Sequence, residues 1–447
     1  MSKKIVLGFF VIAIALFSAC TKEKPQQQEN SENNPYHARQ QNTDESFSEE
    51  DFFQSLQITE IEEDTFFYAD ENDFKIEVMS GRAAKITKYA GTNTDVRIPP
   101  IINGLPVVVI GKNAFTIISY GYEHYSDDPE SDSAERNHVT RVSIPNSVTT
   151  IEDEAFFANT LARVVIPNSV TSIGERAFAH NQLTSVAIPS SVTYIGSGAF
   201  EGNRLASIAI PKNVKTIGYD AFSNNQLTRV ALEDKATSIG EGAFSYNKLA
   251  TVYIYNADMF KALRGNPLNR AVILDGVTSI VDEAFLRMEL TSVVIPNSVT
   301  SIEEGAFREN KLTSVTIPNN VKSIGKDAFA QNQLTNVTIP NSITSIGWTV
   351  FETNKLTNVT IPDSVTSIDY GAFKGNNLTS ITIPDSVTAI ASRAFDDNRQ
   401  LTSIRIGSNV RLGEYDNAFY QKFDIFYIEN GRKAGIYTLS NGSWGRE

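Results

Sequence analysis

Cysteine, histidine and tryptophan are scarce in this chain of 447 residues, which has one Cys, four His and two Trp. A single Cys excludes a disulfide framework and any zinc site built from several cysteines. Basic residues are fewer than acidic ones, with 39 Lys and Arg against 52 Asp and Glu, so the net charge is −13. This acidic balance argues against charge-driven binding to nucleic acid or to an anionic lipid surface. No apolar run reaches the ~20 residues that a transmembrane helix needs.

Sequence signatures of enzymes are missing as well. The chain has no G-x-S-x-G elbow, no phosphate-binding glycine loop and no H-E-x-x-H motif. Ser and Thr are abundant, but their periodic spacing indicates outward strand positions rather than a catalytic nucleophile. His124 and His138 share a loop with several acidic residues, which predicts a solvated loop, with a metal site as the alternative. We therefore predict a protein that is not an enzyme, with no catalytic residue, no metal and no cofactor.

The first residues have the layout of a secretory signal. Two lysines open it, an apolar run over residues 5–17 follows, and Cys20 comes directly after two small residues. The run Leu16-Phe17-Ser18-Ala19-Cys20 resembles a bacterial lipobox, although Phe17 stands where that motif usually has Leu. The resemblance implies that residues 1–19 are removed and that Cys20 carries the lipid anchor. It predicts an exported protein, anchored in the cell envelope at the outer membrane or cell surface. The alternative is an ordinary secretory signal followed by a chance Cys.

The segment that follows the signal is polar. Residues 21–50 are rich in Gln, Asn, Glu and Ser and almost free of aliphatic side chains. Such a segment buries too little apolar area to offset its ordering entropy. We expect residues 20–50 to form a disordered tether between the anchor and the folded part.

An internal repeat dominates the rest of the chain. Ile-Pro recurs at a spacing of 22 residues, and Leu232, Ile254 and Ile273 continue the series without Pro, with one step of 19 residues between Ile254 and Ile273. Ala-Phe pairs and single leucines recur in the same register with the same short step, so one truncated repeat explains all three series. The unit is N-x-L-T-S-V-x-I-P-x-S-V-T-S-I-G-x-x-A-F-x-x. Its Phe position holds Phe156, Phe178, Phe200, Phe222, Phe244, Phe260, Phe285, Phe307, Phe329, Phe351, Phe373 and Phe395.

The unit beginning at Leu312 illustrates the expected packing. Leu312, Val315 and Ile317 point inward from a β-branched strand, and the Pro that follows ends its hydrogen-bond ladder on one side. Val321 and Ile324 are expected to form a second inward pair after the corner, and the Ala-Phe pair is buried in a short helical or irregular turn. A single unit cannot bury this face, but stacked units share a continuous core.

The unit resembles the BspA-like bacterial subclass of the leucine-rich repeat family, which has the signature I-P-x-S-V-T-S-I-G-x-x-A-F. The word recurs almost verbatim over residues 98–406, as in IPNSVTSIEEGAF from Ile295. The resemblance implies a leucine-rich repeat solenoid, mainly β with short helical turns. About 14 units of 22 residues would stack as a right-handed horseshoe with a parallel sheet. Where the subclass often has Cys, this chain has Asn, as at Asn181 and Asn310, and we expect these side chains to satisfy backbone groups.

The flanks of the repeats are expected to cover the open ends of the core. Residues 51–97 are predicted to form an N-terminal cap and residues 407–447 a C-terminal cap. An insertion over residues 117–137 breaks the regular spacing in the first unit. Insertions on rigid scaffolds often carry binding, and Tyr is frequent at interfaces. The insertion is therefore a candidate binding element, with a cap-covering loop as the alternative reading. Its tyrosines are Tyr120, Tyr122 and Tyr125.

The outward side chains of the strands form the main candidate binding surface. This face is expected to be long, hydroxyl-rich and nearly uncharged, and Ala231 is expected to lie on it. It suits a protein or glycan partner with distributed contacts, or it is the default solvent face of a regular repeat. The candidate residues are Thr184, Ser185, Thr228, Arg229, Thr313, Ser314, Thr335 and Asn336.

These observations together predict a lipid-anchored binding module. The family resemblance implies surface adhesion to host matrix proteins or to other bacteria, through a monomer whose only membrane contact is acylated Cys20. No nucleic-acid partner is expected. The alternative is a structural or periplasmic envelope protein with no host ligand, and an enzyme is the third and least supported class.

Overall fold

The computed structural model describes residues 67–116, 138–234, 237–413, 417–419 and 422–447. The predicted signal, the tether, the first part of the N-terminal cap and the insertion lie outside the described residues. Cys20, Tyr120, Tyr122 and Tyr125 lie outside them as well.

Within this part of the chain, two strands recur in most repeats and helices are few. One 3-10 turn spans Glu71–Asp73, and the helices are α1 (Asp258–Ala262) and α2 (Phe423–Glu429). The strands are β1 (Phe74–Met79), β2 (Ala83–Tyr89), β3 (Asp95–Arg97), β4 (Ile101–Ile102), β5 (Leu105–Ile110), β6 (Arg141–Ser143), β7 (Thr150–Ile151), β8 (Arg163–Val165), β9 (Ser172–Ile173), β10 (Tyr194–Ile195), β11 (Ser207–Ile210), β12 (Thr216–Ile217), β13 (Arg229–Leu232), β14 (Ser238–Ile239), β15 (Thr251–Ile254), β16 (Arg270–Ile273), β17 (Ser279–Ile280), β18 (Ser292–Val294), β19 (Ser301–Ile302), β20 (Ser323–Ile324), β21 (Ser345–Ile346), β22 (Ser367–Ile368), β23 (Ser380–Thr382), β24 (Ala389–Ile390), β25 (Ser403–Ile406), β26 (Arg411–Leu412), β27 (Gly435–Ser440) and β28 (Ser443–Arg446).

The repeat strands form two rows, each divided into several sheets, and within a sheet the equivalent strands of consecutive units pair in parallel. The first row comes from the L-x-x-V-x-I segment and contains the sheets β3-β6-β8, β11-β13, β15-β16-β18 and β23-β25. Isolated bridges join Thr316 to Thr338 and Thr338 to Thr360. The second row comes from the Ser-Ile pairs and contains β5-β7-β9-β10-β12-β14, β17-β19-β20 and β21-β22-β24-β26. The predicted parallel-strand solenoid of about 14 turns is confirmed.

The Ala-Phe segment closes each regular unit with turns rather than with a helix. Two residues per turn adopt left-handed backbone conformations, as Asp327 (φ 57°) and Gln331 (φ 55°) do. The backbone still forms a ladder between units, because the N–H of Phe329 donates to the carbonyl of Val350 at 3.0 Å. Each side of the solenoid therefore satisfies backbone groups through the neighbouring unit, as burial requires.

The core contains a column of stacked phenylalanine rings. Phe307, Phe329 and Phe351 are fully buried, and their centroids lie 5.3 Å and 5.7 Å apart in sequence order. Leu312, Val315, Ile317 and Val321 are buried as predicted, but Ile324 is only partly buried, which corrects that expectation. Ile324 lies on β20, at the edge of its sheet, and has no paired strand beyond it.

A ladder of buried asparagines runs beside the rings. The Asn332 amide donates to the carbonyls of Phe307 at 2.8 Å and Phe329 at 3.2 Å, and its oxygen accepts the N–H of Leu312 at 3.1 Å. The predicted structural role of these asparagines is confirmed. Equivalent bonds recur at Asn159, Asn181, Asn203, Asn225, Asn247, Asn266, Asn310, Asn354, Asn376 and Asn398.

One stretch, residues 255–290, departs from this pattern. Helix α1 occupies the place of a second-row strand and ends at Ala262, whose carbonyl accepts the N–H of Phe244 at 2.9 Å, as the Ala of an Ala-Phe pair does elsewhere. Leu263 therefore holds the Phe position of this repeat, and the assignment of Phe260 to it is wrong. The Phe260 ring, three residues earlier, meets Phe285 at 90°. Met288 stands at the ladder position of Asn, and the N–H of Leu268 donates to the backbone carbonyl of Asn266 at 2.9 Å. This irregular stretch contains the three-residue deletion of the truncated repeat.

Antiparallel hairpins lie at both ends. Strands β1 and β2 form one hairpin, and β2 pairs with β5, while β27 and β28 form the other, and β27 pairs with β25. Past residue 406, the Phe column continues to Phe419, which stacks on Phe395 at 4.8 Å. Phe423 contacts the rings of Phe419, Tyr437 and Trp444 and covers this end of the column. No helix in the described ranges has the length and apolar character to cross a membrane.

Candidate binding surface

The eight strand residues selected from the sequence lie on one surface, the outward side of the first row, which we call the strand face. Seven of them are exposed and Arg229 is partly buried. Some of their hydroxyls already serve the scaffold, because Thr228 Oγ1 donates to the carbonyl of Ala206 at 3.2 Å. Thr335 Oγ1 is placed the same way, 3.5 Å from the carbonyl oxygen of Thr313. These threonines bind to the preceding unit, so their hydroxyl hydrogens are less available to a partner.

Parallel register aligns equivalent side chains of the strand face into columns. One column consists of the residue that lies between the inward Val and the inward Ile of each unit. Within it, Ala209 pairs with Ala231, Tyr253 with Val272, and Val272 with Val294. In chain order this column holds Arg97, Ser143, Val165, Ala187, Ala209, Ala231, Tyr253, Val272, Val294, Thr316, Thr338, Thr360, Thr382 and Arg405. It is thus mostly apolar from 165 to 294 and consists of threonines from 316 to 382.

The expectation that Ala231 lies exposed on the strand face is wrong, because only 2% of this residue is exposed. Its methyl group is short, and it lies between the strand of Ala209 and that of the bulkier Tyr253. By contrast, Thr316 and Thr338 at the same column position are exposed. The uniform hydroxyl-rich face predicted from the sequence therefore exists only in the later units.

Charge is also distributed unevenly along the strand face. The column immediately before the inward Val holds Arg141, Arg163, Arg229 and Arg270 in the earlier units and only Ser or Asn from 292 to 403. Arg141 is neutralised by Asp95, with Nη2 2.6 Å from Oδ2. Arg163 and Arg270 are exposed. The expected lack of charge is wrong for the earlier units, and aligning the repeats column by column would have shown this.

Four of these residues form a contiguous group, which we call the apolar–basic patch. Tyr253, Val272 and Val294 are neighbours on the adjacent strands β15, β16 and β18, and Arg270 lies two residues before Val272. Tyr253 is 46% exposed and Val294 44%. The patch presents a ring, two branched aliphatic groups and a guanidinium side by side. Such a group can bury apolar area and pair with a carboxylate of a partner.

The other predicted site residues lie outside the described residues, so the lipid anchor at Cys20 and the binding role of Tyr120, Tyr122 and Tyr125 stay predictions. Among the residues that the structure describes, no three His, Cys, Asp or Glu side chains group as a metal site would require.

Comparison with known proteins identifies the repeat. The profile of the BspA type leucine-rich repeat region, in six copies, matches residues 133–250, 259–377 and 345–440. No curated protein matches the chain. Among solved structures, a leucine-rich repeat protein from Bacteroides ovatus is 22% identical, with 77% of this chain and 89% of that chain covered and a TM-score of 0.53.

Two further solved structures show weaker likeness. The pneumococcal vaccine antigen PcpA is 20% identical over 73% of this chain and 94% of its own, with a TM-score of 0.38. A leucine-rich cell surface protein from Faecalibacterium prausnitzii is 21% identical over 83% and 98%, with a TM-score of 0.27. The family profile spans well over half of the residues and agrees with the repeat spacing, the two rows of parallel strands and the Phe column. The chain therefore belongs to the BspA-type leucine-rich repeat family.

Proposed function

We propose that this protein is an exported lipoprotein, anchored through Cys20, that binds a protein partner through its strand face and acts as a surface adhesin. Family membership suggests a protein-binding surface module, and leucine-rich repeat proteins are generally non-enzymatic. The signal layout and the lone Cys after it support export and anchoring. The polar tether would hold the solenoid away from the membrane.

The observation that carries the binding role is the apolar–basic patch. Regular units of this solenoid fill the same column with Thr, which is soluble and suits a strand. At this position Tyr253, Val272 and Val294 lie on adjacent strands in place of Thr and form a contiguous apolar group, of which Tyr253 and Val294 are exposed. Tyr and Arg are the residues that most often dominate binding energy at protein interfaces. We therefore assign the patch to a protein surface that offers apolar side chains and a carboxylate.

Protease treatment of intact cells tests the location. We expect the full chain to be cleaved on intact cells and Cys20→Ser to lose lipid labelling, with release or retention in the wrong compartment. Resistance on intact cells with cleavage after lysis would support the periplasmic alternative and contradict the adhesin. Lipid labelling that persists in Cys20→Ser would contradict the anchor.

Matched charge changes on the strand face test the binding role. The immobilised full chain is offered surface-exposed proteins from host matrix and from other bacteria, alongside Arg270→Glu and Thr338→Glu. Both positions are exposed on the strand face. We expect a partner retained by the unmodified chain and by Thr338→Glu to be lost from Arg270→Glu. Equal retention by both variants would contradict binding at the patch.

A further inference from the structure

The second row of strands is interrupted between β20 and β21, which belong to different sheets. In the neighbouring units, the N–H of Gly325 donates to the carbonyl of Ile302 at 2.7 Å and that of Asp369 to Ile346 at 2.8 Å. The structure has no equivalent bond from Gly347 to Ile324, both of which are described residues. The units therefore separate locally on this side of the solenoid.

Glycine geometry gives a second measure of this separation. At Gly325 an added Cβ would lie 2.5 Å from the backbone carbon of Glu303, whereas at Gly347 the nearest atom would be the Ile324 oxygen at 3.5 Å. Both glycines occupy the same position of the repeat. The backbones of consecutive units are therefore in close contact at Gly325 and farther apart at Gly347.

An exposed aromatic pair borders the opening. Trp348 follows Gly347 and is 56% exposed. Its ring lies 5.6 Å from that of Tyr370, the equivalent residue of the next unit, with the planes tilted by 38°. The guanidinium of Arg393, in the unit that follows that of Tyr370, lies 6.0 Å from the centroid of the Tyr370 ring. At this repeat position other units mostly have a small or charged polar residue: Asp153, Glu175, Ser197, Glu241, Asp282, Glu304, Lys326 and Ser392.

A residue with a carboxylate directly precedes Tyr370 in the chain. Asp369 precedes Tyr370 and occupies the position that holds glycine at Gly325 and Gly347. It is partly buried, and burial raises the pKa of its carboxyl above the ordinary value. Among the described residues, its side chain accepts no hydrogen bond and forms no ion pair. A partly desolvated carboxylate without a protein donor can accept hydrogen bonds from a ligand.

We infer that Trp348, Tyr370 and Asp369 form a binding site for an uncharged saccharide, on a side of the solenoid distinct from the strand face. The C–H groups of a pyranose face are apolar and weakly positive, which suits the negative face of an aromatic ring. Sugar hydroxyls are donors for the carboxylate, and such charge-assisted bonds are the stronger kind. A proline-rich peptide also stacks on Trp but brings few donors, so Asp369 favours the sugar. A carboxylate at the site also favours a neutral sugar over an acidic one.

Titration of the full chain with uncharged hexasaccharides tests this inference. The probes are the hexamers of β-linked glucose, α-linked glucose, mannose and N-acetylglucosamine, with decaproline as the competing ligand class. Trp fluorescence reports binding at Trp348. The other Trp, Trp444, is only 8% exposed, so a ligand on the surface should change its emission little. We expect at least one hexasaccharide to shift the emission of Trp348 to shorter wavelength. Trp348→Ala and Asp369→Asn should each weaken its binding, measured by biolayer interferometry, by roughly tenfold, the effect of about 1.4 kcal/mol.

Tyr219→Ala is the matched control. Tyr219 occupies the repeat position of Trp348 in an earlier unit and is 64% exposed. Its substitution should leave saccharide binding unchanged, and thermal melting should confirm that all three variants fold. The inference is overturned if no hexasaccharide binds, if decaproline binds instead, or if Trp348→Ala and Asp369→Asn bind as the unmodified chain does.

Discussion

The regular units from 291 to 395 and the irregular stretch 255–290 use the same core positions in different ways. In the regular units every Phe ring stacks on both neighbours, whereas in the irregular stretch Leu263 holds the Phe position and the Phe260 ring, three residues earlier, makes one perpendicular contact. The asparagine ladder is complete in the regular units, whereas in the irregular stretch Met288 takes the place of one asparagine. The Leu268 N–H that an asparagine would have served finds a backbone carbonyl instead.

This difference shows where distinctive surface chemistry arises. Identical units present identical surfaces, as the threonine column at Thr316 and Thr338 shows. The apolar–basic patch extends across the irregular stretch, from Tyr253 just before it to Val294 just after it. The Trp348 pair likewise borders the opening between β20 and β21. Both candidate sites thus lie where the stacking of units changes.

Truncating the Phe column should have the largest effect on stability. Phe329→Ala removes a fully buried ring between two stacked neighbours, and we expect the free energy of unfolding to fall by about 3–5 kcal/mol. Phe260→Ala removes a ring with one perpendicular ring contact and should cost about 1 kcal/mol less. Denaturant unfolding monitored by circular dichroism measures both. Equal losses would mean that stacking on both sides adds nothing.

Changes in the asparagine ladder should have the next largest effect. Asn332→Ala leaves the buried N–H of Leu312 and the carbonyl of Phe307 without their partner, so we expect a loss of about 3 kcal/mol. Met288→Asn restores the ladder residue, yet it should give no stabilisation, because Leu268 N–H is already bonded. The same unfolding experiment applies, and a more stable Met288→Asn would show that the irregular stretch lacks a needed bond.

Two glycine substitutions compare a closed junction with the open one. Gly325→Ala forces a methyl group into backbone atoms and should cost about 2 kcal/mol. The methyl group of Gly347→Ala would make only ordinary van der Waals contacts, so it should cost little stability. Because Ala also lowers the conformational entropy of the unfolded chain, the free energy of unfolding can rise by up to about 1 kcal/mol. Thermal melting of the two variants compares them directly. A loss at Gly347 as large as that at Gly325 would contradict the opening.

Much of the fold follows from spacing alone. The 22-residue period identifies the Phe column, the inward Leu, Val and Ile and the structural asparagines, because each unit repeats the same contacts. Side chains whose surroundings differ between units could not be predicted from one unit's pattern. Ala231 is buried by its neighbours, and Ile324 is partly exposed because no strand pairs beyond β20. The arginines of the strand face were visible in the sequence but needed comparison of the units column by column.

Site-specific photo-cross-linking on cells tests most directly the claim that the apolar–basic patch is where a partner binds. The photoreactive amino acid p-benzoylphenylalanine replaces Tyr253 in the patch, Thr338 in the regular part of the strand face, or Tyr194 on the second row. All three side chains are exposed. We predict an adduct with a discrete protein, identified by mass spectrometry, from position 253 and from neither control. Equal adducts from all three positions, or an adduct from 338 alone, would contradict this claim.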